Sequence, residues 1–279
     1  MPEPPLVVTR CCYEGSEHIY TVADDGSTQL ITAGRGPKWS PDHRRLVFDR
    51  SDNTPGLPAN QNAWLIELAT GDERQLTFVR PPNQVRFLAF DGKPALIAYD
   101  DNSGIWVMSP DGAVPRRVIV DGNANDLAVS RDGSTIAYAR NATGGSPDGL
   151  YTVGVADHAQ HAVFQGTTHT CGVSSPGWSD DDKWVVFALC TDKGGLNHVF
   201  GIWLVRPDGS QLHRLTTGTN PVWSPDGRWI AFITTRESAA KNDQLSALAQ
   251  VTPDGKHQVR ITPYAAGSVA GATDDEPDW

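Results

Sequence analysis

Residues 1–279 read as an all-β, six-bladed β-propeller with four antiparallel strands per blade, forming a single domain. Three observations lead to that class. A strand–turn–strand phrase, best preserved at Asn220-Pro221-Val222-Trp223-Ser224-Pro225-Asp226-Gly227-Arg228-Trp229-Ile230-Ala231-Phe232, recurs in degraded form along the chain. The copies repeat about every 40–50 residues with four apolar runs in each, the period of a propeller blade. The chain also opens on what is a second strand in the other copies and stops on what is a first strand.

Each copy has four parts. In the best copy, Val222 and Trp223 lead into Ser224-Pro225-Asp226-Gly227. Pro presets φ there and Gly accepts the positive φ of the turn. Trp39, Trp178 and Trp279 take the place of Trp223 elsewhere, Val129 stands in for it once, and Leu88 or Phe90 once more. In that last copy the turn Asp91-Gly92 is followed by extra residues. Second strands centre on Val7, Val47, Ile97, Ala137, Val186 and Ala231, which lie in β-prone apolar runs. Third strands centre on Tyr20, Trp64, Trp106, Tyr151, Trp203 and Ala249. Fourth strands contain Leu30-Ile31-Thr32, Leu76-Thr77, Val118-Ile119, Val163-Phe164, Leu215-Thr216 and Ile261-Thr262. Helical periodicity is weak throughout, and only Glu237 to Leu248 suggests a helical turn, inside a loop.

Joining the ends places Trp279 before Met1-Pro2-Glu3-Pro4-Pro5-Leu6-Val7-Val8-Thr9, in parallel with Trp223 and the strand that follows it. One blade is therefore shared, its innermost strand coming from the C-terminus and the other three from the N-terminus. A ring closed in this way has no open sheet edge between its first and last blades.

Trp223 to Phe232 and Ile202-Trp203-Leu204-Val205-Arg206-Pro207-Asp208-Gly209 resemble the WD-type repeats of the TolB β-propeller family. Similar units occur in the propeller domains of prolyl oligopeptidase-type and tricorn-type proteases. The resemblance spans nearly the whole chain. TolB carries in addition an N-terminal α/β domain that these residues do not contain, so the resemblance implies architecture more than role.

Composition narrows the partners. A net charge of −10 argues against nucleic acid. No apolar run reaches the ~18 residues of a membrane span, so membrane insertion is not expected. Met1-Pro2-Glu3-Pro4-Pro5 has no export-signal pattern. The protein is either cytoplasmic, or periplasmic or otherwise extracytoplasmic with its signal removed. It is expected to be monomeric or one domain of a larger protein.

In such a ring the Asp-Gly turns share one face and the longer connections the other. The longer ones are 10–17, 50–62, 140–148, 190–198 and 236–245 within blades, and 78–83, 121–125, 165–171 and 263–276 between them. Binding concentrates on variable loops held by a rigid scaffold, so this face and the channel mouth are the expected site. Arg10, Arg50, Arg140 and Arg236 end equivalent second strands. They form either a guanidinium ring for a carboxylate or peptide C-terminus, or four structural caps paired with a neighbouring Asp such as Asp52, Asp101 or Asp126.

Asp274, Asp275, Glu276 and Asp278 make an acidic run. It offers oxygen ligands to Ca²⁺ or another divalent cation, but its spacing matches no metal loop and a solvated run is the simpler reading. No other cofactor is implied. His169 and His198 lie on the long-loop side of one blade, whereas His158 and His161 fall on the short-turn side. No Gly-x-Ser-x-Gly, phosphate-loop or His-Glu-x-x-His pattern occurs.

Cys171 begins a first strand and Cys190 ends its antiparallel neighbour, opposite each other to within one residue when counted outward from the turn. That separation suits a disulfide, with two buried thiols as the alternative. A bridge implies an oxidising compartment. Cys11 and Cys12 are adjacent and expected to be free thiols, with a vicinal disulfide or one reactive thiol as the alternatives.

Two functions follow. The first is a non-catalytic scaffold that binds protein or peptide on the long-loop face, which the resemblance to TolB would place in an envelope or surface complex. The second is a metal-dependent lyase or hydrolase, with His169, His198, Asp192, Asp274 and Asp275 at the channel mouth.

Overall fold

The computed structural model describes residues 5–13, 16–23, 25–52, 60–78, 87–101, 103–112, 114–119, 124–140, 148–167, 169–192, 198–237, 244–266 and 274–278. These residues form strands and turns, with no helix among them. Blade 1 contains β1 (Leu6–Tyr13), β2 (Ser16–Val22) and β3 (Thr28–Ala33). Blade 2 is β4 (Arg35–Trp39), β5 (Arg45–Asp52), β6 (Asn60–Glu67) and β7 (Asp72–Gln75). Blade 3 is β8 (Phe87–Asp91), β9 (Leu96–Asp100), β10 (Ile105–Met108) and β11 (Arg116–Ile119). Blade 4 is β12 (Ala124–Val129), β13 (Thr135–Arg140), β14 (Gly149–Gly154) and β15 (Gln160–Gln165). Blade 5 is β16 (Thr170–Trp178), β17 (Val185–Asp192), β18 (His198–Val205) and β19 (His213–Thr217). Blade 6 is β20 (Thr219–Trp223), β21 (Ile230–Glu237), β22 (Gln244–Val251) and β23 (Gln258–Arg260), with β24 (Ala265–Ala266) also pairing β22. β25 (Asp274–Asp278) then pairs β1 and gives blade 1 the order β25-β1-β2-β3. The shared blade is therefore present; Trp279 lies outside the described residues. Each innermost strand touches the next, from β4 through β8, β12, β16 and β20 to β25 and back to β4, so the ring is closed.

Six apolar cores hold the ring, each lying between two consecutive blades. Second strands face a neighbour on both sides, which is why Leu46-Val47-Phe48 and Val185-Val186-Phe187 are continuous apolar runs with no exposed residue. Fourth strands are the rim and are mostly exposed, yet each sends at least one apolar side chain inward. A bulge does this in every blade. Ile31, Val118, Val163 and Leu215 are each the extra residue where the register with the third strand shifts. In blades 2 and 6 the extra residue falls just past the strand. Leu76 and Thr77 both donate to Ala63 O, and Ile261 and Thr262 both donate to Leu248 O. The two threonine hydroxyls accept in return from the amides of Ala63 and Leu248, at 2.9 Å each. The six bulged residues each join a different inter-blade core. A bulge breaks the two-residue alternation, so an apolar side chain can turn inward from a strand whose neighbours face water.

Gly34 and Gly218 mark the crossing into blades 2 and 6. Both have positive φ, and a Cβ would lie 2.6 Å from the Phe48 ring or 2.5 Å from the Phe232 ring. The chain passes directly over these rings, so no side chain fits.

Three expectations are corrected. Phe90 pairs with Ile97 as Trp39 pairs with Leu46, so Phe90 takes the Trp position; Asp91 meets Leu96 with no extra residues in the turn. Gln244–Leu248 is strand, paired residue for residue with β21, in place of a helical turn. Several long connections are also largely hairpin: the β5/β6, β17/β18 and β21/β22 ladders run on to Asp52↔Asn60, Asp192↔His198 and Glu237↔Gln244.

The Cys171–Cys190 bridge is present, with Cα atoms 5.0 Å apart. The neighbouring pairs are Thr170↔Thr191 and Gly172↔Cys190, so Cys171 is itself a bulge residue, one position out of register with its partner.

Candidate functional site

The six innermost strands surround a channel open to solvent. Each strand runs from the long-connection face toward the turn face. Five of the six carry a bulge at one level, β8 being regular. At that bulge Gly36, Asp126, Ser175 and Asn220, each three residues before the Trp position, adopt left-handed φ of 51–59°. Gly, Asn and Asp tolerate that region better than other residues, and Pro37, Pro176 and Pro221 follow directly in three of the strands.

These residues join the blades across the channel wall. Ser175 N donates to Asp126 Oδ2 at 2.7 Å, and Ser175 Oγ donates to Asn220 Oδ1 at 3.3 Å. Gly36 N donates to Thr9 Oγ1 at 3.0 Å, and Trp39 N to Asp278 Oδ2 at 2.6 Å. The cations each meet a carboxylate. Lys38 lies 3.8 Å from Asp278, and Arg35 lies 2.8 Å from the buried Asp49. At the turn-face mouth Arg131 bridges Asp91 and Asp180 at 2.9 and 3.0 Å. His43 stands edge-on to Trp39, and burial, followed by the positive charge of Arg131, pushes its pKa below the ordinary value. The imidazole is therefore neutral at pH 7. The wall thus combines proline rings, backbone at the bulges and cations that each meet a carboxylate, with Asp126 held by an amide and Arg131 shared by two carboxylates, a surface suited to contacting an extended chain. Among the described residues no three His, Cys, Asp or Glu side chains converge as a metal site.

The residues singled out by sequence mostly lie elsewhere. Arg50 points to the rim. Its guanidinium donates to Glu73 at 2.7 and 3.1 Å, to Thr32 Oγ1 at 2.7 Å and to Ala33 O at 2.9 Å, while stacking 4.9 Å from both Phe48 and Trp64. Its hydrogen bonds hold Glu73 below the usual carboxylate range. Arg50 therefore clasps two blades, through Glu73 rather than through an Asp. Arg140 lies over Tyr151. Asp101 is buried and accepts from Ser103 N and Oγ and from Trp106 Nε1, which organises its own turn. Asp126 holds the Ser175 amide.

Arg10 is opposite Asp274 and His18 in the ladders, Asp275 is opposite Thr9, and Arg236 is opposite Leu245. The side chains of Arg10, Arg236, His198, Asp192, Asp274, Asp275 and Glu276 are outside the described residues, as are those of Cys11 and Cys12. His169 is exposed. Asp192 pairs with His198 in blade 5, whereas Asp274 and Asp275 belong to blade 1, with blade 6 between them. The channel residues Lys38, His43, Arg131, Ser175 and Asn220 were not anticipated. The available signal was a Gly, Asp, Ser or Asn three places before four of the six Trp positions.

Fold and channel together define a closed six-bladed propeller with a polar, bulge-lined axis. Among solved structures the chain resembles TolB from Acinetobacter baumannii, at 16% identity and TM-score 0.76 over 99% of this chain and 66% of that one. It also resembles a protein assigned as TolB in Agrobacterium tumefaciens, at 17% identity and TM-score 0.65 over 95% and 91%. An oligogalacturonate lyase in complex with manganese is similar at 12% identity and TM-score 0.61 over 92% and 78%. The architecture is that of a TolB-like propeller, and at these identities the likeness is one of fold. No family model matches the sequence, nor does any curated protein. The chain spans just under two thirds of the Acinetobacter TolB structure.

Proposed function

We propose that this propeller is a non-catalytic scaffold that binds a protein or peptide at the long-connection mouth of its channel. The supporting observation is the bulge level itself. Four left-handed residues from four blades, Gly36, Asp126, Ser175 and Asn220, bring backbone and short polar groups to one ring. The nearby cations Arg35 and Lys38 already face the carboxylates of Asp49 and Asp278. Such a wall recognises an extended backbone by hydrogen bonding and shape. The reading needs no cofactor. The Cys171–Cys190 bridge favours an oxidising compartment such as the periplasm. There the propeller would act by itself or as one domain of a longer protein.

The test is selection of displayed random peptides on the immobilised full chain, followed by rebinding to Asn220→Trp, which fills the channel at the bulge level. Selected peptides should bind the variant at least about tenfold more weakly; undiminished binding removes the channel from the proposal. A melting-temperature rise with Mn²⁺ would instead favour the metal-dependent lyase or hydrolase reading, for which the Asp192↔His198 pair is the starting point.

A further inference from the structure

Four innermost strands share one phrase: Gly36-Pro37-Lys38-Trp39, Ser175-Pro176-Gly177-Trp178, Asn220-Pro221-Val222-Trp223 and Glu276-Pro277-Asp278-Trp279. Their register shifts fall at the same level. The slot beside each second strand therefore selects one backbone shape. β25 fills its slot with residues that suit a strand poorly. Four of its five residues are carboxylates and the fifth is proline, whereas β20 carries no charge and β4 carries two cations. Asp, Glu and Pro are depleted in strands, and at about 3.3 Å per residue the like charges lie well within one Debye length. Local preference and global position conflict here more than in any other innermost strand.

The slot supplies the compensation. β1 pairs with β25 at Val7, Thr9 and Arg10. From the next blade, the Trp39 amide donates to Asp278 Oδ2 at 2.6 Å and the Lys38 ammonium lies 3.8 Å from Asp278. Among the described residues β25 is held by its ladder to β1, by packing against β4 and β20 and by two groups that read the Asp278 carboxylate, and none of these requires the strand to be covalently attached.

We propose that β25 is an exchangeable strand, and that the slot between β1 and β4 is a binding site for an extended acidic strand of the Glu-Pro-Asp-Trp type supplied in trans. Binding is β-strand addition. The edge of β1 that β25 vacates takes the incoming backbone, Lys38 and the Trp39 amide take the Asp of the incoming strand, and β25 leaves as it enters. This mode is separate from peptide binding in the channel.

The probe is a fluorescein-labelled peptide with the sequence of residues 267–279, followed by fluorescence anisotropy with the full chain. Saturable binding is expected, competed by unlabelled peptide, and at least about tenfold weaker for the peptide carrying Asp278→Lys. In the same full chain, hydrogen exchange of β25 amides should run faster than that of β20 amides. Absence of saturable binding at millimolar peptide, equal binding of the Asp278→Lys peptide, or exchange in β25 no faster than in β20 would each overturn the proposal.

Discussion

Blade 5 and blade 1 follow one plan and secure their innermost strands by different means. In blade 5 the innermost strand, β16, is nine residues long, precedes β17 directly in the chain and is tied to it by the Cys171–Cys190 bridge. In blade 1 the innermost strand, β25, is five residues long, comes from the far end of the chain, and among the described residues is held by three ladder positions, by packing against β4 and β20 and by the contacts of Asp278. In a ring of repeats each blade is stable only through its neighbours. The comparison therefore locates where the ring is stapled and where it depends on polar recognition.

The largest effect should come from the staple. Replacing both Cys171 and Cys190 by serine frees a loop with a sequence separation of 19, which should lower the unfolding free energy by about 3 kcal/mol. Denaturant titration of the two chains measures it, and equal midpoints would mean that β16 is held by packing alone. A middle effect is expected at the seam. Asp278→Ala leaves the Trp39 amide without its acceptor, which should cost about 2 kcal/mol, and Asp278→Asn, which keeps an accepting oxygen, should cost less. If both substitutions are silent, β25 is held by its ladder rather than by Asp278.

The smallest effect is acid dependence in the turn of blade 5. Hydrogen bonding from Lys183, then from Ser179, lowers Asp181 to about 2. A depressed carboxylate adds stability above its ordinary range near 3.8, and that stability is lost as pH falls through about 2. Asp181 is about half exposed, so only a few tenths of a kcal/mol are expected. Asp181→Asn should flatten the stability curve between pH 4 and pH 2 by about that amount, read from chemical denaturation across that range.

The fate of the arginines shows how far sequence reaches into a repeat fold. Arg10, Arg50 and Arg140 occupy matching places in the ladders, whereas Arg236 lies two residues further along its strand and Thr234 takes the equivalent place in blade 6. A matching place does not foretell where a guanidinium goes. Arg50 turns to the rim because Glu73 and Thr32 wait there and Phe48 and Trp64 offer ring faces. None of those partners lies at a fixed offset along the chain. The channel wall escaped notice for a related reason: Asp126, Ser175 and Asn220 are distant in sequence, and only the ring places them side by side.

What the sequence determined by itself was the repeat: six copies, four strands in each and the blade shared between head and tail, with Cys171 and Cys190 brought opposite each other. Turn chemistry at Ser-Pro-Asp-Gly and runs of apolar residues are written in neighbouring positions, so they survive without coordinates. Tertiary structure alone decided which side chain leaves its expected face. At the six fourth-strand bulges and the five innermost ones, an extra residue reverses the alternation. Whether such a residue reaches core, rim or channel depends on how one twisted sheet stacks against the next.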